Sequence, residues 1–171
     1  MSAEQKRQSG VAVHPIPPTF DGRSRVLILG SFPSVRSRAS GYFYGHPQNR
    51  FWRVLAAVFE DALPQTNEEK KDFLLRHRVA LWDVAASCRI SGSSDASIKD
   101  VLPNDLRVII DRAPVKRIYV NGKTAEKLYH RYIEPSLAIP AGYLPSTSPA
   151  NAAWTTEKLI SVWKAALEDL L

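Results

Sequence analysis

The chain has one cysteine in 171 residues. A lone Cys88 makes no internal disulfide, no four-cysteine zinc site and no iron–sulfur cluster on the chain's own thiolates, and reads as a small buried hydrophobe. No run of eighteen apolar residues occurs, and "MSAEQKRQSG" lacks the apolar stretch of a secretory signal, so a cytoplasmic protein with no membrane partner is expected. No group of His, Cys, Asp and Glu has metal-ligand spacing, which argues against a metalloenzyme. The turn "GSFPSV" lacks the glycines of a phosphate-cradling loop, which argues against a nucleotide-binding oxidoreductase. Repeats and low-complexity tracts are absent.

What is present suits one domain. With 44% hydrophobic residues, a chain of this length can bury a two- or three-layer core. Lys and Arg number 23 against 17 Asp and Glu, a net charge of +6, which favours a polyanionic partner. Arg23, Arg25, Arg36, Arg38 and Arg50 fall before or inside the segment "GYFYGHPQNRFW" (41–52), an arrangement a phosphate-tracking loop would need.

Residues 1–20 are polar and then proline-rich ("HPIPPTF"), the pattern of a frayed tail followed by an extended segment that docks on the body; 21–171 read as one domain. "RVLILGSF" (25–32) has the composition of a strand buried on both faces, and "VALWDV", "VKRIYVNG" and "AGYLPSTS" read as further strands. Helix-period stretches lie between them. They start at Asn49 and also cover "NEEKKDFLLRHR" and "NGKTAEKLYHRYI". A final helix is capped by Thr155 or Thr156, with Leu159, Val162, Trp163, Ala166, Leu167 and Leu170 on one stripe. Alternating strands and helices predict an α/β fold with a mainly parallel sheet covered on both faces, and a ligand crevice at the carboxyl ends of the strands. "GSFPSVRS" with the aromatic loop, "WDVAASCR" and "LPSTSPAN" should converge there.

Together, "LGSFPS", "GYFYGHPQNRFW" and "LPSTSPAN" resemble the uracil-DNA glycosylase superfamily, most closely its hypoxanthine-DNA glycosylase family, from about Arg25 to the end of the last helix. No one of these segments suffices; their order and spacing make the match. The resemblance implies a three-layer α/β/α sandwich around a four-stranded, mainly parallel sheet. It also implies excision of deaminated bases from DNA after base flipping, with no cofactor and no metal, by a protein expected to be a monomer.

The resemblance also suggests roles. A flipped base needs a flat apolar partner, worth about 1–3 kcal/mol per base; Tyr44, two residues before His46, takes the place of the stacking ring in mismatch-specific relatives. Phe51 and Trp52 instead begin the apolar stripe of the next helix. Hydrolysis through an oxocarbenium-like sugar needs negative potential near C1′ and an oriented water. The superfamily's usual Asp or Asn, two residues after the first-motif glycine, is here Phe32, which does neither, while Phe32 and Ser31 beside it are expected to touch the base. The hypoxanthine-specific family shares that loss, and its catalytic asparagine matches Asn49; the competing reading of Asn49 is a helix N-cap.

His46 is either a donor to the leaving purine or the rigid turn of an "HP" dipeptide. Asp83 either accepts from hypoxanthine N1–H or uracil N3–H, or caps a turn. Ser34, Arg36 and Arg38 are expected on the DNA backbone. So is "STSPAN", where Ser146 is also a candidate for the base and Ser148, Pro149, Ala150 and Asn151 enter the minor groove. Ala150 stands where relatives carry a leucine wedge, leaving Asn151 to fill the gap. His14, His77 and His130 read as structural or solvated. A uracil- or mismatch-specific glycosylase and a non-catalytic nucleic-acid-binding module remain as alternatives.

Overall fold

The computed structural model describes residues 10–171; the first nine residues of the expected tail lie outside them. Four strands form a parallel sheet: β2 (Val26–Gly30), β3 (Val79–Asp83), β6 (Arg117–Asn121) and β7 (Ala141–Leu144), in the order β3-β2-β6-β7. All five residues of β2 are buried, as a central strand covered on both faces requires. Val26 and Ile28 face one core and Leu27 and Leu29 the other, following the two-residue period of a strand.

The first core is closed by α2 (Phe51–Val58), α3 (Asn67–Arg76) and α7 (Thr156–Ala166), which contribute Phe51, Phe73 and Trp163. Across the sheet, α4 (Arg107–Ile110) and α5 (Lys123–Tyr132) bring Ile109 and Tyr129. This is the three-layer α/β/α arrangement that the alternation of strands and helices implies. Two short helices complete the set, α1 (Val35–Ser40) and α6 (Glu134–Leu137). Thr66 and Thr155 cap α3 and α7 through their side chains, the former in a full capping box. Val162 is not on the buried stripe of α7: it is exposed, and the apolar face passes through Leu159 and Trp163 into Leu167 and Leu170. No helix among the described residues is long and apolar enough to cross a membrane.

A second sheet was not expected. The antiparallel strands β1 (Val11–Val13), β4 (Ala85–Arg89) and β5 (Lys99–Pro103) pair in the order β1-β4-β5. Residues 10–20 are therefore part of the body: β1 pairs with β4, Ile16 and Thr19 are buried, and Thr19 bridges Leu81. Cys88 is buried in a small third core with Phe32, Ala85 and Val101, and burial pushes its thiol pKa up.

Candidate active site

A cavity of about 280 Å³ opens at the carboxyl ends of β2, β3 and β6, where ligands bind in open α/β sheets. Its walls come from the three segments expected to converge: Gly30 to Ser34, Asp83, and Ser146 to Pro149. The aromatic loop closes it with Phe43, Tyr44, His46 and Asn49. After Asp83, "VAASCR" turns away to form β4.

Tyr44 sits in the left-handed region at φ 51°, a conformation that costs a bulky residue of order 1–3 kcal/mol and persists only when its surroundings fix it. They do so here. Its ring stacks on Phe51 at 4.0 Å and 18°, and its hydroxyl accepts a hydrogen bond from Asn121 Nδ2 at 3.1 Å. Burial, and then the charge of Asp83, hold its phenol protonated well above the ordinary tyrosine value. Phe51 thus reaches the site as the backing of Tyr44 rather than as a separate stacking ring.

Asn49 opens on the cavity while its Oδ1 accepts the Phe51 amide at 3.0 Å at the start of α2. Arg50, not Asn49, is the N-cap residue of α2, so the N-cap reading gives way to a bond made from the residue before the cap; one oxygen lone pair and both Nδ2 hydrogens of Asn49 are left over. His46 Nδ1 accepts the Gln48 amide, which leaves Nε2 as the protonated nitrogen of the neutral ring. Phe32 lines the cavity but is only 7% exposed and packs in the third core, with the Arg38 guanidinium 5.3 Å above its ring.

Two carboxylates face the cavity. Asp83 is buried at the end of β3, and its Oδ2 lies 2.7 Å from His14 Nε2. Gly30 allows this packing: a Cβ there would lie 2.3 Å from Asp83 Oδ1 and 2.9 Å from the Tyr44 hydroxyl. Asp95, in the loop between β4 and β5, accepts from Ser31 Oγ at 2.9 Å. Although Asp95 is exposed as a residue, its carboxylate turns into the pocket. Burial raises its pKa above the ordinary carboxylate value, the Ser31 hydrogen bond opposes this, and the charge of Asp83 adds to it.

The DNA-facing assignments divide. Arg36 is exposed on α1 beside the cavity. Arg38 is half-buried and donates to the Gly92 carbonyl, so its guanidinium holds the loop that carries Asp95. Arg50 is a staple and not a free cation: it donates to the carbonyls of Ser148, Asn151 and Trp154 and thereby shapes the second-motif loop. Arg23 pairs with Asp21, and Arg25 lies before β2 at the opposite end of the sheet. Ser34 Oγ caps α1, Ser146 Oγ accepts the Ser148 amide, and Ser148 Oγ accepts the Ala150 amide. Asn151 Nδ2 donates to the Ser146 carbonyl, which ties the amide that was to reach an orphaned base. Pro149 and Ala150 are exposed at the tip.

Four contributors escaped the sequence reading. The sequence reading sets His14 in the N-terminal segment and Arg50 among the free cations, and assigns nothing to Asp95. Asn121, whose Nδ2 donates to both Tyr44 and Thr147 Oγ1, carried a usable signal: like Asp83, it is the last residue of a parallel strand.

A parallel α/β/α sandwich with this crevice matches a known family. Residues 17–171 match the model of the uracil DNA glycosylase superfamily, and the chain belongs to it. More particularly, it is 37% identical over 137 residues to the hypoxanthine DNA glycosylase of Methanosarcina barkeri, spanning 79% of this chain and 85% of that protein. It is 33% identical over 151 residues to the hypoxanthine DNA glycosylase of Methanosarcina acetivorans, spanning 87% and 94%. A solution NMR structure of a uracil DNA glycosylase candidate from Methanosarcina acetivorans matches with a TM-score of 0.77 at 30% identity, covering 91% of this chain and 96% of that one.

Proposed function

We propose that the chain is a monofunctional DNA glycosylase that takes a flipped hypoxanthine into this cavity and hydrolyses its N-glycosidic bond, leaving an abasic site. The observation that carries this reading is that Asn49 opens on the same cavity as Tyr44 and Asp83, while the usual catalytic position holds the buried Phe32. The two named hypoxanthine glycosylases among its relatives support the choice of base.

Each group has a role. Tyr44, backed by Phe51, offers its remaining face to the purine. Deamination of adenine turns N1 from an acceptor into an N–H donor, so a carboxylate at Asp83 attracts hypoxanthine N1–H and repels the N1 lone pair of adenine. Asn49 orients a water toward C1′ through its spare lone pair, and its dipole faces the developing oxocarbenium cation. The water oxygen bonds to C1′, the C1′–N9 electron pair leaves with the base, and the proton lost by water ends on the base. Because an amide is too weakly basic to remove that proton, Asn49 acts by orientation and electrostatics. No lysine is among the described residues that line the cavity, and none of them offers an amine for the Schiff base that strand-cleaving glycosylases require.

The test is a labelled duplex with one hypoxanthine or one uracil, treated afterwards with alkali. Alkali-dependent cleavage at hypoxanthine, with no metal added, is the expected result. Cleavage confined to uracil would make the chain a uracil- or mismatch-specific enzyme, binding without cleavage a non-catalytic module. A DNA adduct trapped by borohydride would contradict the monofunctional mechanism.

A further inference from the structure

We propose that His14, on the segment that precedes the glycosylase-like motifs, is a positioning residue that fixes the Asp83 carboxylate as the acceptor for the base. This rests on the reading of Asp83 given above. His14 and Asp83 are 69 residues apart in sequence, and their side chains are 3% and 5% exposed. The proton arrangement follows from the bonds. The Ile16 amide, which can only donate, points at His14 Nδ1 at 3.1 Å, so that nitrogen keeps its lone pair. Nε2 therefore carries the proton and donates it to Asp83 Oδ2 at 2.7 Å.

The ring has little freedom to leave. Phe32 and Trp82 meet it edge-on at 5.9 and 6.4 Å, and Phe43 lies at 6.0 Å. The strand β1 that carries the segment pairs with β4, which starts two residues after Asp83, and the His14 amide donates to the Ala86 carbonyl at 2.8 Å, so the small sheet holds the histidine against the end of β3 that carries the carboxylate. With Oδ2 held, Oδ1 is directed along Gly30 at the cavity wall, and no described residue donates to it. A carboxylate clamped at one oxygen presents the other at a fixed angle; one without the clamp rotates about its terminal bond, and the acceptor for N1–H is lost for part of the time.

Two substitutions separate clamp from filler. His14→Phe keeps a ring among the aromatic neighbours and removes the donor; His14→Gln removes the ring and keeps an N–H at similar reach. In single-turnover excision of hypoxanthine from a duplex, His14→Phe is expected to lose at least tenfold in rate with its affinity for undamaged duplex unchanged, and His14→Gln to stay within threefold of the parent. On an Asp83→Asn background, His14→Phe should cost less than twofold more, because the two residues act through one contact. Thermal melts report folding, and if His14→Phe does not fold, His14→Gln and its combination with Asp83→Asn carry the same comparison. Parental rates for His14→Phe, a tenfold loss in folded His14→Gln, or an undiminished His14→Phe loss on the Asp83→Asn background would overturn the proposal while leaving the glycosylase reading intact. A parent that excises no hypoxanthine would overturn both.

Discussion

Replacing Gly30 with alanine should damage both stability and chemistry, by an amount that can be worked out from its surroundings. Gly30 has no left-handed backbone angle, so alanine is allowed at the main chain and gains about 0.4–1 kcal/mol from a less flexible unfolded state. The added Cβ would lie 2.3 Å from Asp83 Oδ1 and 2.9 Å from the Tyr44 hydroxyl. Tyr44 cannot yield, being stacked on Phe51 and tied to Asn121. Asp83 Oδ1 must then move from 2.3 Å to about 3.4 Å for ordinary contact, which turns the carboxylate away from the geometry in which Oδ2 accepts from His14.

Overpacking costs about 1–3 kcal/mol, and a lost hydrogen bond to a charged group about 1.5–3 kcal/mol. Set against the gain above, the net is about 1.5–5.6 kcal/mol, or roughly 3–22 °C in Tm for a domain of this size. Thermal melts and single-turnover excision measure the two effects, with at least a tenfold fall in rate expected. A Gly30→Ala protein that melts within about 2 °C of the parent, less than roughly 1 kcal/mol, and cleaves normally would show that Asp83 is not held as described.

Other outcomes follow from the same contacts. Arg36→Ala should weaken binding to damaged and undamaged DNA alike and lower the salt slope by about one counterion. Arg38→Ala, whose guanidinium is engaged with Gly92 and Phe32, should leave that slope unchanged in anisotropy titrations at several salt concentrations. Asp95 has a folded-state pKa above the ordinary 3.8, so the folded state holds its proton more tightly and stability falls as pH rises from about 4 through the raised value. Asp95→Asn should raise the urea midpoint at pH 7, by a few tenths of a kcal/mol given its exposure, and leave it unchanged at pH 3. Asp61 shifts the other way: its bond to His77, then that to Arg76, lowers it to about 2. Its contribution is present above about pH 4 and lost as pH falls toward 2, so Asp61→Asn should flatten the acid limb of the stability curve and leave excision at pH 7 untouched.

The main sheet was legible because its strands are short β-forming runs with their own punctuation: "VLILG" closes on a glycine and "VALWD" on an aspartate. The small sheet was not. "AASCR" has no alternation of apolar and polar residues, and "KDVLP" is charged and ends in proline, so both become strands only by pairing with each other and with "VAV". The same tertiary pairing hid His14, whose partner is 69 residues away. Composition counts arginines as charge, but it does not distinguish Arg36 in solvent from Arg50, whose donors are spent on three loop carbonyls. Tyr44, Asn49 and Asp83, singled out through the resemblance about "HPQN" and at a strand end, line one cavity.

The central claim is that Asn49 serves the chemistry as well as the helix. Asn49→Ala removes the acceptor for the Phe51 amide and should cost about 1 kcal/mol of stability, as loss of a hydrogen bond does. The decisive measurement is single-turnover excision of hypoxanthine by this variant, with folding and DNA affinity checked alongside. A folded, DNA-binding protein at least about a hundredfold slower than the parent, roughly 2.7 kcal/mol of transition-state stabilisation, is the predicted result. A folded variant cleaving within about threefold of the parent, less than roughly 0.7 kcal/mol, would contradict it and pass the role to His46 or Asp83.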